Sequence, residues 1–257
     1  RRPLTGDRGA VRDLIAGPES PDMDGVILAA GEGTRMRPLT ADRPKALVEV
    51  AGRPLLEHAF DALLSVDIDR FVVVVGYRGE AIVDRYGGGY RGRPVECVEQ
   101  TERLGTAHAL AQATPTAEAP FVALNGDNVC RANLDAVVER HRETEAAATL
   151  LVESVSREQA RGTGVVETDA EGRPIGFVEK PENPPSTLVT RGFYAFGPDI
   201  GPALEYIGPS ERGEFEIVDA VDALLARGRH VELVELEGWC HNVNDPTDVE
   251  RVEERLR

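Results

Sequence analysis

Between residues 28 and 45 the chain reads Leu28-Ala29-Ala30-Gly31-Glu32-Gly33-Thr34-Arg35-Met36-Arg37-Pro38-Leu39, then Pro44-Lys45. The apolar stretch Val26–Ala30 reads as a buried strand, and the glycines follow it directly. Glycine in that place lets backbone amides come close to an anion. Positive charge is concentrated beside it: Arg35, Arg37, Arg43 and Lys45 stand in a short stretch whose one acid is Asp42. Arginine offers forked donors and lysine a compact point charge, and together they suit a triphosphate. The bland alternative is a solvated turn with loosely paired arginines, which fits poorly with so acidic a chain. Two rival glycine motifs fail. A dinucleotide fingerprint needs a third glycine at residue 36, which is Met36, and a Walker loop needs Gly-Lys-Ser/Thr.

A second chemical site follows the apolar run Phe121–Leu124. There Asn125-Gly126-Asp127-Asn128 would lie at the carboxyl edge of a strand, where open α/β sheets bind ligands. The Asp127 carboxylate can hold Mg²⁺, a hard cation that favours oxygen ligands and phosphates. Its structural alternative is to cap a turn.

The run from Leu28 to Thr40, followed by Arg43-Pro44-Lys45-Ala46-Leu47, resembles the signature of the sugar nucleotidyltransferases. That family includes the glucose-1-phosphate thymidylyl- and uridylyltransferases, and further matches extend to about residue 250. The resemblance implies transfer of a nucleotidyl group from dTTP or UTP to a sugar-1-phosphate, with glucose-1-phosphate favoured and Mg²⁺ required. It implies that Arg35 grips the triphosphate and that Lys45 contacts the phosphate under attack. It also puts Leu28, Ala29, Gly31, Gly33 and Thr34 against the nucleotide.

Glu99-Gln100, then Leu104-Gly105-Thr106-Ala107, resembles the family's base-recognition segment. Gln100 carries both a donor and an acceptor, which suits the edge of uracil or thymine. Gly105 would let backbone atoms approach the nucleoside, with Thr106 beside it. Gly164-Val165-Val166-Glu167 and Phe177-Val178-Glu179-Lys180-Pro181 resemble the sugar-side motifs, and Tyr194 falls in a strand expected to wall the sugar pocket. Glu179 can accept from sugar hydroxyls and Lys180 can neutralise the sugar phosphate. Lys45 and Lys180 are the only lysines in the chain, and both fall in motifs expected to meet phosphate.

One segment departs from the family. The thymidylyl branch usually has Trp-x-Asp-x-Gly-Thr/Asn-Pro near its end, the Asp being the second metal ligand. Here the run is Trp239-Cys240-His241-Asn242-Val243-Asn244-Asp245-Pro246. Asn242 stands for the Asp and Asn244 for the Gly, so Asp127 with Asn242 is the expected metal pair, and Asn244 is the alternative ligand. His241 is expected to be a hydrogen-bonded structural residue, because magnesium does not favour imidazole. Two rival functions stay open: a cytidylyltransferase acting on a phosphorylated alcohol, and a noncatalytic nucleotide-sensing subunit.

The elements that must hold these residues are short apolar strands alternating with amphipathic helices. Strands are expected at Val26–Ala30, Phe71–Val75, Val95–Val98 and Phe121–Leu124, with helices after Pro54 and over Gly79–Tyr86 and Thr106–Ala113. This βα alternation predicts an α/β, Rossmann-like three-layer αβα fold with a mainly parallel mixed sheet. Closely spaced strands at Leu150–Glu153, Val165–Glu167, Ile175–Glu179 and Val189–Phe196 suggest an additional small antiparallel sugar-binding layer. Helices return at Phe215–Ala226 and Thr247–Leu256, and no hexapeptide β-helix pattern follows, so a second acetyltransferase activity is not expected. Residues 1–22 read as a flexible extension. Residues 23–257 read as a single domain, its nucleotide-binding half at about 23–130 and its sugar-binding half at about 131–257.

Forty-five acidic residues face twenty-nine basic ones, a formal net charge of −16. Such a surface repels nucleic acid and anionic membranes, so neither is an expected partner. An acidic, lysine-poor chain fits a high-salt, haloarchaeal-type cytoplasm, and GC bias alone is the alternative. Cys97, Cys130 and Cys240 are few, odd in number and widely spaced, which argues against disulfides and zinc and for a reducing cytoplasm. Apolar runs such as Phe71–Val75 are far too short to span a bilayer. Relatives in the resembled family commonly form dimers or tetramers, so a homo-oligomer is compatible with the sequence, which does not itself fix the assembly.

Overall fold

In the computed structural model of the chain, residues 23–257 are described, so the extension expected over 1–22 lies outside the described residues. The first half runs β1 (Asp24–Ala29), β2 (Glu49–Val50), β3 (Arg53–Pro54), α1 (Leu55–Leu64), β4 (Arg70–Val75), α2 (Glu80–Tyr86), β5 (Val95–Glu99), α3 (Thr106–Ala113), β6 (Phe121–Asn125) and β7 (Asn128–Ala132). The second runs α4 (Leu134–Thr144), β8 (Ala148–Ser154), α5 (Arg157–Ala160), β9 (Gly164–Thr168), β10 (Pro174–Glu179), β11 (Leu188–Phe196), α6 (Ile200–Tyr206), α7 (Ile217–Ala226), β12 (Val231–Glu235), β13 (Gly238–Asn242) and α8 (Pro246–Leu256).

Nine strands make one mixed sheet. Its path is β10-β9-β11-β6-β1-β4-β5, with β8 joined to β11 and β12 to β8. The block β6-β1-β4-β5 is parallel, and β11 joins it antiparallel to β6. The chain leaves β1 toward β4 on one side and returns to β6 on the other. A parallel sheet binds ligands at the carboxyl ends of strands where the order switches in this way.

Side chains alternate across each strand, so successive residues enter opposite cores. Val26, Val72, Val74 and Ala123 face α3, α6 and α7, packing with Leu110, Ile200, Val221 and Leu224. Ile27, Val73, Val75 and Leu124 face α1, α2 and α4, packing with Phe60, Leu63, Ile82 and Val137. The result is the expected three layers.

The expected antiparallel strands are attached to the main sheet: β8 and β9 pair with β11, and β10 with β9. Two small antiparallel sheets lie apart from it, β2 on β3 and β13 on β7, the latter between segments read as motifs rather than strands. Cys130 and Cys240 form a disulfide, contrary to the reading of the cysteine count. They lie 110 residues apart, and only the β7–β13 register sets them opposite each other, with Cα atoms 4.1 Å apart. Cys97 stays free. Among the described residues no helix is long and apolar enough to cross a membrane.

Candidate active site

The carboxyl ends of β1 and β6 open into a cavity of about 650 Å³, which also reaches β10, β11 and the start of α7. The residues that the family resemblance assigns to nucleotide, sugar phosphate and metal line it. Around the carboxyl ends of β1 and β6 are Leu28, Ala29, Gly31, Gly33, Thr34, Arg35, Lys45 and Asp127, with Gln100, Gly105 and Thr106, and with Asn242 and Asn244 from the end of β13 and the segment after it. Gly164, Glu179, Lys180 and Tyr194 come from β9, the end of β10 and β11.

The glycine loop is shaped by contact as much as by flexibility. Gly33 has φ +66°, and a Cβ there would stand 2.9 Å from Lys45 Cβ, so only glycine lets the loop cross that side chain. Thr40 Oγ1 donates to Gly33 O at 2.8 Å and pins the turn. The charge cluster then divides. Arg37 pairs with Glu32 at 2.9 Å and Arg43 with Asp42 at 3.1 Å, and neither arginine lines the cavity. Arg35 and Lys45 turn inward. Lys45 Nζ donates to Asp127 Oδ2 at 2.6 Å and to Asn244 Oδ1 at 3.1 Å, and Arg35 Nη2 reaches that same oxygen at 3.1 Å.

At the end of β10, Lys180 Nζ pairs with Glu179 Oε1 at 2.8 Å. Lys180 has φ +44°, a backbone conformation unusual for a residue with a side chain, and its N–H donates to Thr163 O at 3.0 Å. Gly164 leaves room for Glu179: a Cβ at 164 would stand 3.0 Å from Glu179 Oε2 and 2.6 Å from Val218 Cγ1. Tyr194 is buried, and burial holds its hydroxyl protonated well above the ordinary range. Glu216, at the start of α7, is pushed up to about 7, first by burial and then by the nearby Glu179 charge.

A family model described as nucleotidyl transferase matches residues 24–241, which covers every residue named above except Asn242 and Asn244. The chain belongs to this family. As a nucleotidyl transferase it is 44% identical, over 91% of its length and 97% of the relative's, to the UTP–glucose-1-phosphate uridylyltransferase AglF of Haloferax volcanii. It is 35% identical to a glucose-1-phosphate thymidylyltransferase of Streptomyces antibioticus, matching 88% of this chain but 64% of that longer protein. In structure it superposes on a putative glucose-1-phosphate thymidylyltransferase from Bacillus anthracis with a TM-score of 0.82 and 27% identity, covering 91% of this chain and 95% of the other.

Residues holding a metal in this nucleotidyl transferase would be few. Among the described residues no group of three or more His, Cys, Asp and Glu side chains could hold an ion. The oxygen donors still fit a hard cation that keeps water and phosphate ligands. β13 lies on β7 so that Asn242 pairs with Asn128, and Val243 N donates to Asp127 O at 2.9 Å. That register brings the Asp127 carboxylate and the Asn242 amide to one wall. His241 Nε2 lies 3.4 Å from Asp248 Oδ1, in keeping with a structural role.

Two cavity cations escaped the sequence reading. Arg212 lines the cavity and is held by Glu216 Oε1 at 3.1 Å, while Arg103 lines it beside Glu32. The segment carrying Arg212 reads as the approach to a helix, and nothing in its spacing marks it as a phosphate contact.

Proposed function

We propose that this chain transfers a uridylyl or thymidylyl group from UTP or dTTP to a sugar-1-phosphate, glucose-1-phosphate being favoured, and releases pyrophosphate. The observation that carries the reading is a single cavity joining the cation pair Arg35 and Lys45 to a second pair, Lys180 and Arg212. Two separate cation pairs suit two phosphorylated substrates, and the similar proteins are named for such substrates. In this reading residues of about 23–130 hold the nucleotide and about 131–257 the sugar, within one catalytic unit. The composition supports a high-salt cytoplasm as the setting.

The chemistry is a direct displacement. An oxygen of the sugar phosphate forms a bond to the α-phosphorus, and the bond to the bridging oxygen of pyrophosphate breaks in line. The nucleophile is already anionic, so no catalytic base is required. The chain has to place two mutually repelling anions together and stabilise charge on the reacting phosphoryl oxygens. Lys45 stands at the attacked phosphate, and Arg35 at the departing ones. Lys180 and Arg212 neutralise the sugar phosphate, Glu179 accepts from sugar hydroxyls, and Tyr194 walls that pocket. Gln100 and the Gly105 backbone meet the base edge, with Leu28, Ala29 and Thr106 around the nucleoside. Amides of Gly31, Gly33 and Thr34 face the phosphates. Asp127 with Asn242 is the pair suited to Mg²⁺, which when bound would neutralise triphosphate oxygens.

The test is pyrophosphate release in high salt with Mg²⁺, across nucleoside triphosphates and a panel of phosphorylated sugars and alcohols. Release with glucose-1-phosphate and UTP or dTTP is expected. Release with CTP and a phosphorylated alcohol alone would make the chain a cytidylyltransferase. Nucleotide binding with no release for any pair would favour a noncatalytic sensor.

A further inference from the structure

We propose that His108 is a positioning residue that fixes which end of the Gln100 amide faces the cavity, and so sets selection of an imide base over cytosine. This rests on the reading of Gln100 as the base-contacting residue. The Gln100 backbone N–H donates to Val75 O at 2.8 Å, which anchors the residue at the end of β5. Its side chain packs inward, leaving the residue 4% exposed. Nε2 lies 3.1 Å from Gly105 O and 2.9 Å from His108 Nδ1.

The first of these contacts decides the orientation. A backbone carbonyl can only accept, so the amide atom facing Gly105 O must be the NH₂ group. With the amide turned that way, His108 Nδ1 must accept the second N–H, and the imidazole carries its proton on Nε2. Both amide hydrogens are thereby used inside the protein. Gln100 Oε1 takes no donor among the described residues, and it is not sealed off as the unpaired oxygens of Asn125 and Asn128 are. Gln100 and Gly105 both line the cavity. The cavity is therefore offered one acceptor and no donor from this side chain.

An unclamped glutamine can present either end by rotating its amide half a turn. A clamp at two points removes the choice. Uracil and thymine carry an N3–H donor between two carbonyls, whereas cytosine carries a bare acceptor at N3. The fixed Oε1 pairs with the former and opposes the latter. His108 lies in the first turn of α3, the helix that begins at the base loop, so the clamp is built where the base is read.

The experiment is kcat/KM for UTP, dTTP and CTP in the wild type, His108→Leu, His108→Asn and Gln100→Leu, each checked for folding by thermal melting. His108→Leu keeps a good helix former but offers no acceptor, and the UTP-to-CTP and dTTP-to-CTP ratios should fall about tenfold, the worth of one neutral hydrogen bond. His108→Asn sets an amide oxygen near the position of Nδ1 and should restore the ratios. A merely structural role would lower all three nucleotides alike and would not separate Leu from Asn. Unchanged ratios in His108→Leu, with a fall in Gln100→Leu, overturn the role of His108 and leave the reading of Gln100 standing. Unchanged ratios in Gln100→Leu overturn that reading and the inference with it. If His108→Leu does not fold, His108→Ala supplies the truncation and the same ratios decide.

Discussion

Asn244 accepts from both Arg35 and Lys45, so one amide oxygen sets the spacing of the two cations assigned to the triphosphate. A glycine at that position would supply no such acceptor, which gives the departure from the family pattern a physical role. Beside Glu179 the decisive small residue is Gly164. Adding a methyl there pushes on Val218 and on the Glu179 carboxylate, which is expected to meet sugar hydroxyls. Gly164→Ala should raise KM for glucose-1-phosphate about tenfold, a loss of about 1.4 kcal/mol, with KM for the nucleotide unchanged. Equal rises for both substrates in steady-state kinetics would remove Glu179 from the sugar subsite. Lys45 and Lys180 could be picked out in the sequence because arginine stands almost everywhere else. Arg212 could not, being one arginine among many; its place depends on Glu216, which is buried only once α7 packs on the sheet.

Between elements, the base loop ahead of α3 is tied to the segment that leads into α7. Phe215 N donates to Leu104 O at 2.7 Å, Ala107 N donates to Phe215 O at 2.8 Å, and Ile217 N donates to Thr106 Oγ1 at 3.2 Å. Gly105 makes this possible, with φ +116° and ψ −178°, a region populated essentially by glycine alone. A Cβ there would collide with the Phe215 backbone, whose N would lie 2.7 Å away. Gly105→Ala should therefore cost about 3 kcal/mol and raise KM for the nucleotide; a thermal melt and kinetics matching the wild type would show that the tie is dispensable.

Glu216 sits at the same junction, and its folded pKa of about 7 lies above the ordinary glutamate value. Its protonated form favours the fold, so this stability is complete below the unfolded value near 4.5 and is lost as pH rises through about 7. Glu216→Gln keeps the neutral shape and should gain on the wild type in melting temperature between about pH 5 and about pH 8. A difference between the two proteins that does not change with pH would contradict the shift. Elements of this kind were unevenly legible. α3 was legible from the helical period of Thr106–Ala113. The pairing of β7 with β13 was not, because residues 110 apart in sequence share no local pattern. The disulfide and the approach of Asn242 to Asp127 were hidden with it.

At the scale of the molecule, a chain of net charge −16 gathers Arg35, Lys45, Arg103, Lys180 and Arg212 around one cavity. The rest of the surface repels itself. Raising salt from about 0.1 M to about 1 M shortens the screening length from about 10 Å to about 3 Å. The melting temperature should rise across that range, and a flat or falling curve would contradict self-repulsion as a main destabilising force. The layered α/β plan was legible from strand and helix periods because each apolar run feeds one of two cores. The strand order was not, since it follows from packing rather than local sequence.

That this cavity joins a nucleotide to a sugar phosphate through its cations is a proposal that single-turnover transfer from α-labelled UTP or dTTP to glucose-1-phosphate, in the wild type and in Lys45→Ala, puts to the test. Label is expected in a nucleotide-sugar, matched by pyrophosphate. Lys45→Ala should slow that step about a hundredfold or more, a loss of about 3 kcal/mol, while still binding nucleotide. Transfer by Lys45→Ala at the wild-type rate would contradict the proposal.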